Sequence, residues 1–357
     1  VTLGENMIHK IDLNGYIKKK LGGFNMTSRS APITSSELAN LWMAYQEKTM
    51  IVRVLEHFIE HASDEEKQLL QSHYNSALNN IEMITSILQQ EGAVVPIGFI
   101  ASDVHKGVPK LYDYMFDIMY LHMMTKVEMS LYALFTGMSY RKDIEDFFIG
   151  LTSESQAMNS QVTQFLLEKG VLARPPFVTM PKEVNFVQDK NYMGGLWFSE
   201  KRSLNTVEVS LIHHAVETNL IGMQLMIGFA QVASDQEVQD FLAKGMKLSK
   251  KIEIDLGEFL RDSFIEPPAT HAGKATTSKT APFSDKLMMY NTSLLASFGL
   301  GSNALGGAFS LRSDLPTKMA FIAKDIFTFA QDGGKIMIKN GWMEEPPQIE
   351  DRNELTK

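Results

Sequence analysis

The chain contains no cysteine, so no disulfide, thiolate-bound metal or cysteine nucleophile is available to it. It also lacks any uninterrupted apolar run near the roughly 18–20 residues of a membrane-spanning helix, and no transmembrane segment is expected. Basic residues are in deficit, with 34 Lys and Arg against 42 Asp and Glu and a net charge of −8. A general nucleic-acid binder needs a basic face to displace phosphate counterions, and that class is excluded. Residues 1–25 show no apolar core followed by small residues, so they do not read as a secretory signal. The chain has no Gly-x-Ser-x-Gly elbow, phosphate-binding glycine loop or Ser-His-Asp order, and an enzyme is not the expected class. What is present is ordinary for a folded protein: 44% hydrophobic and 21% charged residues in 357, enough for two domains.

The chain repeats itself at a fixed offset. Ala62-Ser63-Asp64-Glu65-Glu66 returns as Ala233-Ser234-Asp235-Gln236-Glu237, a shift of 171 residues from Ser63 to Ser234. The same shift carries Ser139-x-Arg141-x-Asp143 onto Ser310-x-Arg312-x-Asp314, and Gly170 with Pro175-Pro176 onto Gly341 with Pro346-Pro347. Such a period is too long for a solenoid repeat and suits a complete domain. The expected division is an N-terminal extension over 1–31, a first bundle over 32–173, a linker over 174–202, a second bundle over 203–347 and a tail over 348–357. Lys20-Leu21-Gly22-Gly23-Phe24-Asn25 before Met26 resembles translated ribosome-binding sequence, which makes Met26 the expected native start.

Within each half the apolar residues step at three and four, the period of amphipathic helices. Four stripes mark the first half: Leu38 to Ile59, Leu70 to Leu88, Tyr112 to Leu131, and Phe147 to Leu166. Thr34-Ser-Ser-Glu37 and Asn205-Thr-Val-Glu208 are capping boxes at equivalent places. Asp64, Asp235, Asp143 and Asp314 are placed to open later helices, and Gly170 and Gly341 to end them. Short turns join the first and second helices, and the third and fourth. A long connection, about Gly92 to Pro109 and again Glu266 to Pro282, separates the hairpins. One long crossover in four helices is the ferritin-like pattern. The expected fold is all-α: two tandem ferritin-like four-helix bundles, packed about a pseudo-two-fold axis.

The string Ile33-Thr34-Ser35-Ser36-Glu37-Leu38-Ala39-Asn40-Leu41-Trp42-Met43-x-Tyr45-Gln46-Glu47-Lys48-Thr49-Met50 resembles the opening of an uncharacterised family of spore-forming Gram-positive bacteria. Its members are tandem ferritin-like bundles, some provisionally labelled spore coat proteins. The resemblance implies a non-enzymatic structural or interaction protein, cytoplasmic or in the spore coat, with protein partners or a homo-oligomer. It carries no catalytic residues over to this chain.

A ferritin-like bundle raises the question of a metal pair. Glu47, Glu82, His122 and Glu154 supply one donor per helix, the cofactor then being iron or manganese. Against this, neither Glu-x-x-His motif is present, and Glu47 lies off its stripe and is expected to face water. The second copy offers Thr218, Glu253, Ser293 and Asp325, so no cofactor is the leading expectation. His57 and His61, one turn apart beside Glu56 and Glu60, have metal-chelating spacing but also suit the C-terminal turn of a helix. Ser139, Arg141, Asp143 and their equivalents Ser310, Arg312 and Asp314 are expected to build turns and caps. Gly299, Gly301, Gly306 and Gly307 make a helix poor in bulk, at about 1 kcal/mol per glycine relative to alanine. Close packing accounts for that, as does an apolar ligand in a groove; a small-molecule or lipid-binding bundle is therefore the third functional class.

Overall fold

Eight long helices carry the structure, a computed structural model describing residues 31–113, 115–196, 201–269 and 273–356. The proposed start at Met26 lies outside the described residues. The first half holds α1 (Ser35–His61), α2 (Asp64–Gln90), α3 (Phe116–Gly137) and α4 (Lys142–Glu168). The second holds α5 (Thr206–Val232), α6 (Gln236–Arg261), α7 (Asp285–Phe309) and α8 (Asp314–Lys339). In each half the first two helices form one hairpin and the last two another, packed side by side. Among the described residues there is no strand, only two isolated bridges. No helix among the described residues is long and apolar enough to cross a membrane.

The caps explain where helices begin and end. Thr34 with Glu37, and Asn205 with Glu208, form reciprocal capping boxes. Ser63 with Glu66 forms a third, while Asp235 caps α6 from its side chain. Asp64 is therefore the first residue of α2 rather than its cap. Gly170 and Gly341 adopt φ of +67° and +66°. Each is followed by a residue whose amide reaches back to the helix, Val171 to Leu166 and Trp342 to Met337, the glycine-terminated helix end that L-residues resist.

The crossovers join the bundles. Val104 pairs antiparallel with Phe283, and Tyr112 with Ala275. Shifting by 171 residues turns either bridge into the other. The amide of His105 donates to Pro282 and that of Thr276 to Leu111, both at 2.8 Å, and these bonds are equivalents too. So are Asp113 to Lys274 and Ser284 to Asp103. Four bonds in two equivalent pairs describe a pseudo-two-fold axis through the crossovers. Around it one apolar cluster runs unbroken from Met50, Phe58 and Tyr120 to Leu225, Phe229 and Met288, so the bundles share a core. Tyr112, expected in the third helix, belongs to this junction instead. Its ring stacks on Phe116 at 3.9 Å, and its hydroxyl donates to the carbonyl of Leu225 at 2.6 Å.

Candidate functional site

Bundle 1 encloses a buried charged centre. From α1 the Lys48 ammonium donates to Glu128 Oε1 on α3 at 2.7 Å. His73 on α2 lies 3.1 Å from the same oxygen, and Ser155 on α4 donates to the other at 3.1 Å. Glu47 accepts from the Tyr132 hydroxyl, and its Oε2 stands 3.7 Å from Lys48. All six side chains are buried. The expectation that Glu47 faces water is corrected here. Along its middle α1 is enclosed, and Gln46, Glu47, Lys48 and Thr49 are all buried.

The electrostatics follow from that enclosure. Burial raises the Glu47 pKa to about 8, with Lys48 pulling it back and Glu128 pushing it further up. Burial works the same way on Glu128, but His73 and Lys48 outweigh it and hold this carboxyl well below the usual range. Burial opposes the charge on Lys48, and the two glutamates more than restore it. A cation and an anion taken from water persist only with close partners, and Lys48 and Glu128 supply each other.

Of the predicted quartet, only Glu47 joins this centre. Glu82 is exposed. Glu154 accepts from Ser76 and Asn80 on α2, at 2.6 and 3.0 Å. His122 pairs its Nε2 with the Thr163 hydroxyl at 3.1 Å and turns its other edge toward Glu217 of the second bundle. Burial first, then the nearby Lys126, lowers its pKa to about 4. Three side chains, Lys48, His73 and Ser155, already engage the Glu128 carboxylate. Sequence reasoning passed over Lys48, His73, Glu128 and Tyr132. The signal was Glu128 itself, a carboxylate midway along a mainly apolar α3.

Bundle 2 holds a cavity of about 70 Å³ at the equivalent place. Thr218, Asn219, Gly299 and Ile326 line it and stand where Glu47, Lys48, Glu128 and Ser155 stand in bundle 1. A Cβ added to Gly299 would meet nothing within 4 Å. This glycine borders space, and so does Gly301; only Gly306 and Gly307 pack closely, against Met319 of α8.

The Ser-x-Arg-x-Asp motifs tie turns together. Arg141 forks onto Asp143 at 2.7 and 2.9 Å and reaches Glu91 at 2.8 Å. Arg312 forks onto Asp314 and donates to the Arg202 carbonyl. Glu37 and Glu208, besides closing their capping boxes, accept the amides of Arg141 and Arg312. Ser139 and Ser310 bond back to Phe135 and Gly306 one turn earlier. Asp143 and Asp314 do not cap: Arg141 and Ser313 hold the cap positions, without a side-chain cap bond.

A groove of about 960 Å³ opens between the bundles. Its walls are mainly apolar: Trp42 and Met43 of α1, Leu131 and Leu134 of α3, Leu211 of α5, Phe298 and Leu305 of α7, and Trp342. It exists because the pseudo-symmetry breaks. On one side α3 packs on α5, and Lys126 bonds Glu217 at 2.8 Å. The equivalents of His122, Lys126 and Glu217 are Ser293, Ser297 and Gln46. All three line the groove, and α7 and α1 do not close on each other as α3 and α5 do.

Apolar side chains are also exposed where α3 and α7 end. Leu134, Met138 and Tyr140 are exposed at the end of bundle 1, and Leu305, Phe309 and Leu311 at the end of bundle 2. These are the same three positions in both copies. Leu134 and Leu305, with 57% and 58% of their surface free, both line the groove.

Fold and surface together define a tandem helical-bundle protein, one domain written twice and joined through its crossovers. The chain belongs to the family described as proteins of unknown function (DUF3231), whose pattern matches it twice, over residues 22–184 and 193–355. No curated protein matches it. Among solved structures, a "putative spore coat protein" of Bacillus halodurans is similar, at 18% identity and a TM-score of 0.40. That likeness covers 42% of this chain and 98% of the other.

Proposed function

We propose that this chain is a non-enzymatic interaction protein whose working surface is the apolar groove and its rim. The carrying observation is the exposed triplet repeated in both copies, Leu134, Met138 and Tyr140 with Leu305, Phe309 and Leu311. Water does not favour exposed apolar side chains at a helix turn, and contiguous apolar patches mark contact sites. The interiors of the bundles diverged, charged in one and hollow in the other, while this surface kept its character. The occupant is a protein segment with one apolar face, laid along the groove between α1 and α7. The bundles read as ferritin-like on their single long crossover, put here to scaffolding use. Placement in the coat of a spore-forming bacterium rests on the sequence resemblance of Ile33 to Met50. A tagged protein that stays in vegetative cytosol, with a deletion strain whose spores are normal, would remove that placement.

A second reading has its own observation. Gly301, Ser302 and Ala304 leave one wall of the groove without bulk, a slot that suits an acyl chain. The volume lies within the roughly 300–1,000 Å³ of small-ligand sites. Gly301→Leu projects a side chain into open space and tests both. Cross-linking mass spectrometry on the wild-type protein in cell extract should place partner peptides on Leu134, Tyr140 and Leu305, and the substitution should remove them. A co-purifying lipid in native mass spectrometry, lost in the same variant, would replace the protein reading by the second. Unchanged cross-links in Gly301→Leu, or cross-links confined to other faces, would overturn the groove as the working surface.

A further inference from the structure

The C-terminal turn of α1 carries His57-Phe58-Ile59-Glu60-His61, two imidazoles one turn apart with a carboxylate beside the second. Residues at this spacing share a helix face, and a pair of imidazoles so placed can hold one metal ion. The donor atoms of His57, Glu60 and His61 lie within 4.8 Å of one another.

Each residue is prepared in a different way. The His61 Nε2 lies 2.9 Å from the Val108 carbonyl, which only a donating N–H satisfies. That bond selects the tautomer whose Nδ1 lone pair is free, the usual second contact of a ligating histidine. Glu60 Oε1 accepts the amide of Gly107 at 3.0 Å, which leaves Oε2. The crossover thus orients two of the three side chains from its residues Gly107 and Val108.

His57 is the independent observation. Only 2% of its surface is exposed, yet neither ring nitrogen has a hydrogen-bond partner. A neutral imidazole carries one donor and one lone pair, and buried polar atoms in folded proteins are nearly always satisfied. Its ring is held edge-on against Phe283 at 5.4 Å and against His61 at 4.8 Å. Packing alone would be met by an apolar residue. In the second copy the equivalents are Gly228 and Val232, and the ring of Tyr112 occupies the space over Gly228. The nearby cation, Lys110, is paired with Asp117 at 3.0 Å.

We propose that His57, Glu60 and His61 bind one divalent transition-metal ion of the Zn²⁺ class. Borderline-soft cations take imidazole nitrogen and carboxylate oxygen together, with water completing four ligands. Hard cations such as Mg²⁺ and Ca²⁺ prefer all-oxygen sites and are not the match. The ion satisfies a buried nitrogen of His57 and fastens α1 to the crossover beside the pseudo-two-fold axis. The site is separate from the groove and belongs to the first copy alone.

The test uses the untagged full chain, stripped with chelator and titrated with Co²⁺ and then Zn²⁺. One equivalent of Co²⁺ should bind with visible ligand-field bands, and Zn²⁺ should abolish them. His61→Ala and Glu60→Gln should each weaken binding by about tenfold or more. Both residues reach the surface, and circular dichroism checks that the variants stay folded. His57→Phe fills the same space and should lose binding; if it fails to fold, the two surface variants decide. Absence of stoichiometric binding by the wild-type chain overturns the site. So does wild-type affinity in His61→Ala and Glu60→Gln, because the metal then sits elsewhere.

Discussion

Lys48 stands among Glu47, His73 and Glu128 in the interior of bundle 1. Its ammonium supplies positive charge that would otherwise have to come from outside. Glu47 makes the arrangement measurable. A glutamate ionises near 4.5 when unfolded, and burial keeps the folded group protonated to about 8. Because the folded pKa is the higher one, this group's contribution to stability is full below 4.5. It is lost as the pH rises toward 8. Glu47→Gln cannot ionise and retains an acceptor for Tyr132. Its urea midpoint should therefore fall less than that of the wild type between pH 5 and pH 8. Parallel midpoints over that range would refute the protonated carboxyl. Glu47 and Lys48 escaped the helical-period reading because that reading assumes one wet face, and the middle of α1, from Gln46 to Val52, has none.

Elements end where local chemistry ends them, and this much was readable residue by residue. Thr34, Asn205, Gly170 and Gly341 are caps by side-chain chemistry or by backbone freedom, and both act within a turn of themselves. Tyr112 was not readable. Its spacing continues the α3 stripe, but the helix starts at Phe116, because pairing with Ala275 claims the backbone first. Gly98 in the same crossover needs its freedom twice. It holds φ at +64°, and a Cβ would collide with the Thr49 hydroxyl that accepts the Phe99 amide. Gly170 has similar φ and open space around it. Gly170→Ala should cost about 1 kcal/mol in chemical denaturation, and Gly98→Ala about 2–4 kcal/mol, from strain plus collision. Equal losses would show that the Thr49 contact yields freely.

The molecule as a whole is a duplicated unit whose halves meet as two copies of one protein would. Equivalent bridges, equivalent amide bonds and a continuous core make the junction resemble an isologous dimer interface. Gly228 sits at its centre: a Cβ there would come within 2.5 Å of the Tyr112 ring. That ring cannot move aside without losing its stack on Phe116 and its bond to Leu225. Gly228→Ala should destabilise the protein by about 1–3 kcal/mol through overpacking, seen as a lower thermal midpoint. It should also loosen the crossovers, seen as faster amide hydrogen exchange at His105 and Thr276. Unaltered exchange there would mean that the bundles are held together elsewhere. The groove belongs to this scale too, since it opens on the flank where Ser297 and Gln46 stand in place of the Lys126–Glu217 ion pair.

Period, capping chemistry and an exact repeat offset are properties of near neighbours along the chain, so the duplicated all-α plan was present in the linear text. Packing decided the rest. Whether Glu47 meets water and whether Gly299 faces a neighbour or a hole depend on the other helices of the same bundle, and which flank stays open depends on the other bundle. That information is carried by residues far away along the chain, Tyr132 for Glu47 and Ile326 for Gly299. Burial and pairing are sums over contacts in space, and only the folded arrangement performs that sum.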